Sequence, residues 1–118
     1  MNLLRTSLKK KLGISLSFYL VTARIKTDKL EELEKKLKQN SFLNLQPFGR
    51  ALSFSLQNAR SLKNSLLTWE EEDYCRPPLA QEKEAVLDHY FENVETEEVQ
   101  KGEGWKKISN LPLIFPGF

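Results

Sequence analysis

The chain has 118 residues and a mass of 13.7 kDa, the size of one ordinary domain. Its 40% hydrophobic and 29% charged residues exclude a disordered or low-complexity polymer, and no apolar run approaches the roughly 20 residues that a transmembrane helix needs. A single cysteine, Cys75, excludes an intrachain disulfide framework and a multi-cysteine zinc site, and it favours a reducing, cytoplasmic location.

The charge is unevenly distributed along the chain. Residues 1–68 contain thirteen Lys/Arg and four Asp/Glu, whereas residues 69–104 contain three Lys/Arg and twelve Asp/Glu. Because the two segments attract each other, little basic surface is left free to bind a polyanion. We therefore expect no nucleic-acid partner.

Residues 1–16 form a basic N-terminal extension. They include Arg5 and Lys9 to Lys11 but no acidic residue, and leucines recur at near-helical spacing. Without a small-residue cleavage site, the segment does not fit a secretion signal. Two interpretations remain: a weakly ordered extension, or an amphipathic helix that touches a membrane surface or a partner.

The first two predicted elements are a strand and a helix. Ser17 to Ile25 is rich in β-branched and aromatic residues and apolar on both faces, which indicates a central strand. Thr27 to Asn40 carries leucines at helical spacing, acidic residues in its first turn and lysines in its last, which indicates a helix.

Hydrophobic alternation returns from about Gly49 to Asn58 and from Leu66 to Tyr74, which predicts a hairpin with the loop Ala59 to Ser65. A centred register pairs Phe54 with Trp69, Leu56 with Leu67 and Leu52 with Glu71. The opposite face of this hairpin would then be polar and acidic, lined by Ser53, Ser55, Gln57, Thr68, Glu70 and Glu72.

After Pro77-Pro78, the segment LAQEKEAVLDHYFEN predicts a second helix that begins near Leu79. Val94 to Val99 predicts a weak last strand. The tail that follows contains Trp105, Ile108 and the stretch LPLIFPGF, whose apolar side chains demand burial and whose prolines forbid regular structure. We expect it to dock on the body of the domain.

The element order βαββαβ predicts an α+β, ferredoxin-like domain over residues 17–118, with a docked C-terminal tail. Its four-stranded antiparallel sheet would have two helices on one face and the first and third strands at its centre. Since those helices cover one face only, Phe18 and Leu20 would need a second cover. We therefore expect a homodimer.

Four segments carry a family resemblance: SFYLVTARI, PFGRALSFSL, WEEEDYC and PPLAQEKEAVLDHYF. Over roughly Phe18 to Pro116 the chain resembles small cyanobacterial proteins of unknown function in the dimeric α+β-barrel superfamily. That superfamily also includes YciI-like proteins, muconolactone isomerases and antibiotic-biosynthesis monooxygenases. The resemblance implies two sheets paired into a barrel with a ligand-sized interior. The active-site motifs of the characterised enzymes do not occur in this sequence.

Common signatures of other functions are absent from the sequence. The third strand, LLTWEEEDY, lacks the basic and aromatic pattern of an RNA-recognition motif, and the loop after the first strand lacks paired cysteines for a soft metal. The sequence also contains no glycine-rich phosphate loop, G-x-S-x-G or H-E-x-x-H motif. We therefore expect neither a cofactor nor a bound metal.

The acidic run from Glu70 to Asp73 is the main candidate for chemistry, because unpaired carboxylates are costly on a central strand. Glu70 and Glu72 share one face and are candidate catalytic residues. Structural ion pairing is the favoured alternative, with Arg50, which lies opposite Asp73 in the predicted register, and Arg24 or Arg76 as counter-charges. A metal clamp between Glu70 and Glu72 is the weaker alternative.

The remaining candidate residues stand singly in the sequence. His89 is the only histidine and a candidate general base, although a surface histidine between acidic residues is the simpler interpretation. Lys83 falls within the apolar arc of its helix, where it either snorkels to solvent or reaches an acidic pocket. The candidate substrate-binding residues are Arg24, Arg50, Tyr74 and Lys83.

Two functions remain open. In the first, the protein binds or transforms a small anionic or enolisable molecule in a pocket between the sheet and a dimer partner. In the second, it is a non-catalytic interaction or regulatory protein whose open sheet face is an interface. An enclosed cavity with a convergent carboxylate and arginine would favour the first, and a flat, filled interface the second.

Overall fold

The structure is a computed structural model that describes residues 16–118. Apart from Leu16, the predicted basic extension, residues 1–16, lies outside the described residues. Within the described part of the chain, every helix is too short or too polar to span a membrane.

The elements follow one another with short connections. Their bounds are β1 (Ser17–Ile25), α1 (Leu30–Lys38), α2 (Gly49–Gln57), β2 (Arg60–Ser61), β3 (Leu66–Asp73), α3 (Ala80–Glu82), a π-helical segment (Lys83–Leu87), α4 (Asp88–Tyr90), β4 (Phe91–Val99) and α5 (Glu103–Lys107). The segments α3, π and α4 are continuous and are called the π-containing helix, residues 80–90.

The four strands form one antiparallel sheet in the order β2-β3-β1-β4. The architecture is a small α+β fold with an open sheet, compatible with a ferredoxin-like fold. The centre of β1 pairs with both neighbours, since Val21 lies opposite Trp69 of β3 and Thr96 of β4. Alternate residues of β1 and β3 therefore point to two different environments.

The prediction of a strand from Gly49 to Asn58 is wrong, because Gly49–Gln57 forms helix α2. Leu52 and Leu56 satisfy a strand period of two, but they also lie one helical turn apart and both are fully buried on the core side of α2. Gly49 fits this helix closely, since a Cβ there would come within 2.3 Å of the carbonyl oxygen of Phe42. The predicted pairings of Phe54, Leu56 and Leu52 with β3 consequently do not exist.

The second strand is instead β2, two residues long within the predicted loop, where Arg60 and Ser61 pair with Thr68 and Leu67. Helix α2 lies beside β3 where β2 leaves it unpaired. There the Ser55 hydroxyl donates a hydrogen bond to the carbonyl oxygen of Glu70 over 2.7 Å. A side chain thus satisfies a main-chain acceptor that a longer hairpin would have paired.

Three helix boundaries also differ from those predicted. Helix α1 begins at Leu30 rather than Thr27, after Asp28 in the left-handed region (φ 64°), and it ends before Asn40, which has φ 56°. The second predicted helix ends at Tyr90. Phe91 to Asn93 therefore belong to β4 and not to the helix.

One face of the sheet carries the core. Val21, Ala23, Leu67 and Trp69 point to this face and are buried against apolar side chains of α1, α2 and the π-containing helix. Glu71 and Asp73 continue the same face of β3 and are also buried. The core therefore includes two acidic residues at one end of β3.

The other face of the sheet is partly covered by the C-terminal segment. Helix α5 packs over β3 and β1, and the Arg60 guanidinium donates to the carbonyl oxygens of Ser109 and Leu111. The chain then runs beside β2, where Ser61 N donates to the Pro112 carbonyl oxygen over 2.8 Å. Phe115 ends in the core.

Candidate functional site

A groove with a volume of about 480 Å³ opens beside α2, β3 and α5. Its volume lies in the range of ordinary small-molecule sites. The residues that line it are Phe18, Arg50, Ala51, Phe54, Ser55, Glu70, Glu72, Lys101, Gly102 and Trp105. It is called the aromatic groove below.

Glu70 forms the floor of the aromatic groove and is almost completely buried. Its carboxylate accepts three main-chain N–H groups at the start of α5: Gly102 at 2.8 Å, Gly104 at 2.7 Å and Trp105 at 3.2 Å. The N–H groups at the start of a helix have no acceptor within that helix, so the Glu70 carboxylate caps α5 from the neighbouring strand. The buried carboxylate of Glu70 is thus satisfied by backbone amides.

Two glycines allow this contact. Gly102 has φ 84°, a left-handed conformation that favours glycine. Gly104 brings the backbone so close that a Cβ would lie 2.9 Å from Glu70 Oε1. The sequence GEGW therefore fixes α5, and with it Trp105, against β3.

Aromatic side chains form one wall of the groove. The rings of Phe54 and Trp105 meet edge to face, with their centroids 6.3 Å apart. Phe54 is 60% exposed, an unusual environment for a phenylalanine, while Trp105 is half-buried. This wall leaves aromatic surface in contact with solvent beside an open groove.

The charged side chains around the groove are Arg50, Lys101, Glu70 and Glu72. Glu70 is already engaged with the amides of α5, whereas Arg50, Lys101 and Glu72 are exposed. Two cations and one carboxylate therefore remain to meet a ligand.

Three of the seven predicted site residues meet here: Glu70, Glu72 and Arg50. The predicted pairing of Arg50 with Asp73 does not exist, because Arg50 lies in α2. Tyr74 is exposed just after β3, and Lys83 is half-buried at the start of the π-helical segment; neither lines the groove.

Arg24 and His89 also lie outside the groove. The Arg24 guanidinium donates to the carbonyl oxygen of Asn64. His89 Nε2 lies 2.9 Å from Glu32 Oε2 and 3.4 Å from Lys29 Nζ, on the outer surface of α1 and α4. The hydrogen bonds from His89 and Lys29 lower the pKa of Glu32, so this group is an exposed polar network between two helices.

A second region is a buried acidic cluster behind β3, formed by Glu71, Asp73 and Glu82. Glu71 is fully buried and accepts a hydrogen bond from the Trp69 indole N–H over 3.1 Å. The pKa of Glu71 is raised well above its ordinary value, mainly by burial and secondly by the negative charge of Glu82. Its other oxygen, Oε2, has no hydrogen-bond partner.

Asp73 and Glu82 approach each other beside Cys75. Asp73 Oδ2 accepts the main-chain N–H groups of Cys75 at 3.1 Å and Leu79 at 2.7 Å, which fixes the turn before α3. The pKa of Glu82 is raised to about 8, mainly by burial and secondly by the neighbouring Asp73 carboxyl group. Burial also raises the pKa of the Cys75 thiol.

Sequence reasoning missed the residues that complete both regions. The sequence pattern predicts a strand at Phe54, and Trp105 and Lys101 reach the groove only because Glu70 holds α5. The approach of Glu82 to Asp73 depends on the turn at Pro77-Pro78, which the sequence marks without fixing its direction.

Comparison with known proteins gives no match: no protein-family model, no curated protein and no solved structure is similar to this chain.

Proposed function

We propose that the aromatic groove binds a small, flat, anionic molecule. The observation that carries this proposal is the exposed Phe54–Trp105 wall beside a groove of about 480 Å³ whose uncommitted charges are mainly positive. The proposal follows the first of the two functions considered for the sequence, with binding in place of catalysis.

The charge of the ligand follows from Arg50 and Lys101. Both cations border the groove, and one of the two nearby carboxylates, Glu70, is already hydrogen-bonded to main-chain amides. A carboxylate or sulfonate on the ligand would gain a charge-assisted hydrogen bond from the Arg50 fork. A cationic ligand would meet only Glu72.

The flat shape of the ligand follows from the aromatic wall. An aromatic ring in the groove would bury part of the exposed Phe54 surface and extend the edge-to-face pair with Trp105. A compact anion such as inorganic phosphate would leave that surface in water. The wall therefore favours an aromatic acid.

Binding is favoured over catalysis because of the position of Glu70. General acid–base chemistry needs a carboxyl group that reaches the substrate. The Glu70 carboxylate is occupied by three amides, so Glu72 alone would have to exchange protons, and it is exposed at the rim. The candidate base His89 lies outside the groove.

The test uses 1-naphthoate as the anionic aromatic probe and 1-naphthamide as its neutral counterpart, with binding followed by the amide and indole NMR signals of the protein. We expect naphthoate to shift the Trp105 indole signal and to bind at least about tenfold more tightly than naphthamide, because one charge-assisted hydrogen bond contributes about 1.5–3 kcal/mol. Arg50→Gln should abolish this preference.

Two control variants make the test specific. Lys63→Gln removes an exposed cation outside the groove and should leave naphthoate affinity unchanged, while Phe54→Ala should weaken both probes severalfold. Leu43→Ala, an exposed apolar residue elsewhere, should weaken neither. Equal affinity for the two probes, or equal loss in Arg50→Gln and Lys63→Gln, would refute the proposal.

The homodimer and interaction function is the second candidate, and the exposure of Phe54 favours it, because solvent-exposed aromatic surface also marks protein interfaces. Phe18 and Leu20 are half-buried within one chain. Sedimentation equilibrium decides between the candidates: a dimer that Phe54→Glu dissociates supports the interface, and a monomer that binds naphthoate supports the groove.

The single cysteine continues to favour a cytoplasmic protein.

A further inference from the structure

The buried acidic cluster offers a second site, separate from the aromatic groove. Ligand atoms of Asp73, Cys75 and Glu82 all lie within 4.8 Å of one another, and Cys75 Sγ lies 4.0 Å from Glu82 Oε1. Both carboxylates are buried, whereas Cys75 is half-exposed. The cluster is thus closed on the core side and open beside the thiol.

An independent observation points to a missing partner in this cluster. Glu82 is fully buried on the first turn of the π-containing helix, yet its Oε2 has no hydrogen-bond partner. The same is true of Glu71 Oε2 on the adjacent strand. A buried carboxylate oxygen without a donor is costly, and a cation bound beside it would offset that cost.

We propose that Asp73, Cys75 and Glu82 bind a zinc ion, with Glu71 beside them in the core. A thiolate together with two carboxylates is a mixed soft and hard donor set, which suits zinc better than calcium or magnesium, whose ligands are all oxygen. Three protein ligands leave a fourth position for water.

The geometry requires only small movements. Zinc bonds of about 2.0–2.3 Å place tetrahedral ligand atoms about 3.5 Å apart, so separations of up to 4.8 Å need to contract by at most about 1.3 Å. Asp73 is already oriented, because its Oδ2 accepts the Cys75 and Leu79 amides. Binding through the thiolate would release the Cys75 thiol proton.

The test uses the full chain, treated with a chelator and then titrated with Co²⁺ as a spectroscopic substitute for zinc. We expect one Co²⁺ per chain, a thiolate-to-cobalt charge-transfer band and its loss when Zn²⁺ is added. Cys75→Ser should remove the band, and Glu82→Gln should weaken binding at least about tenfold. Glu84→Gln, an exposed carboxylate two residues away, should leave binding unchanged.

Thermal unfolding gives a second measurement. Zn²⁺ should raise the melting temperature of the wild-type protein and of Glu84→Gln, but not that of Cys75→Ser. Absence of the Co²⁺ band, or equal binding in Glu82→Gln and Glu84→Gln, would overturn the proposal. Neither result bears on naphthoate binding in the aromatic groove.

Discussion

Replacement of Glu70 by glutamine tests how α5 is held on the sheet. The substitution keeps the size of the side chain and one acceptor oxygen but exchanges the other for an NH₂ group. In the wild type, Oε1 accepts Gly104 and Trp105 while Oε2 accepts Gly102. The glutamine therefore loses at least one of these hydrogen bonds, because its NH₂ group would face a main-chain N–H group and both are donors. The substitution also removes a negative charge from the N-terminal end of α5.

The expected cost is about 2 kcal/mol, from one lost hydrogen bond to a charged group and the smaller helix-dipole contribution. For a domain of this size, that corresponds to a fall in melting temperature of roughly 8 °C. Because Trp105 depends on α5, the Trp105 indole NMR signal should also broaden or shift.

Glu72→Gln is the matched control, since it removes a neighbouring carboxylate on the same face that is exposed to solvent. Its stability should change by less than about 0.5 kcal/mol. Chemical denaturation of both variants, monitored by circular dichroism, measures the difference. Equal stability of Glu70→Gln and Glu72→Gln would refute the role assigned to the Glu70 carboxylate.

Three further predictions concern other parts of the fold. Gly49→Ala should destabilise the protein by about 2–3 kcal/mol in urea denaturation, because its Cβ would meet the Phe42 carbonyl oxygen at 2.3 Å; Ala51→Gly, in the same helix, should cost only about 1 kcal/mol. In metal-free protein, the raised Glu82 pKa makes the folded state hold a proton that the unfolded state releases, so this contribution is complete below pH 4.5 and lost as the pH rises to about 8. Glu82→Gln should therefore flatten the stability–pH profile over that range, by up to about 1.4 kcal/mol per pH unit, and an unchanged slope would contradict the assignment. Deletion of residues 105–118 removes Ile108 and Phe115 from buried positions and should cost at least about 3 kcal/mol, whereas an unchanged melting temperature would show that the tail is dispensable.

The sequence predicts elements well where only one period fits. Ser17 to Ile25 is a strand with the predicted bounds, and Leu66 to Asp73 matches the predicted third strand to within one residue. Helix α1 lies within its predicted range. These segments have a single apolar pattern, and β1 pairs with a neighbour on each side, so local preference and tertiary packing agree.

The failure at α2 has a specific cause. In GRALSFSLQ the apolar positions Leu52, Phe54 and Leu56 alternate, yet Leu52 and Leu56 alone also form a helical stripe. Packing decides between the two periods, because the core accepts both leucines and leaves Phe54 outside. The exposed phenylalanine that follows from this choice is what forms the wall of the groove.

The candidate site was predictable only in part. The acidic run drew attention to Glu70 and Glu72 because carboxylates on a central strand need partners. The partner of Glu70 proved to be three main-chain amides, and backbone donors carry no signature in the sequence. Likewise, the meeting of Cys75 with Glu82 depends on a turn whose direction only the fold determines.

The most direct measurement of the proposed function is a set of intermolecular NOEs between 1-naphthoate and the protein. We expect contacts from the naphthalene ring to the ring protons of both Phe54 and Trp105, at a stoichiometry of one probe per chain, and weaker NOEs at the same probe concentration in Arg50→Gln but not in Lys63→Gln. NOEs to neither ring, or contacts scattered over the surface, would contradict an anion-binding aromatic groove.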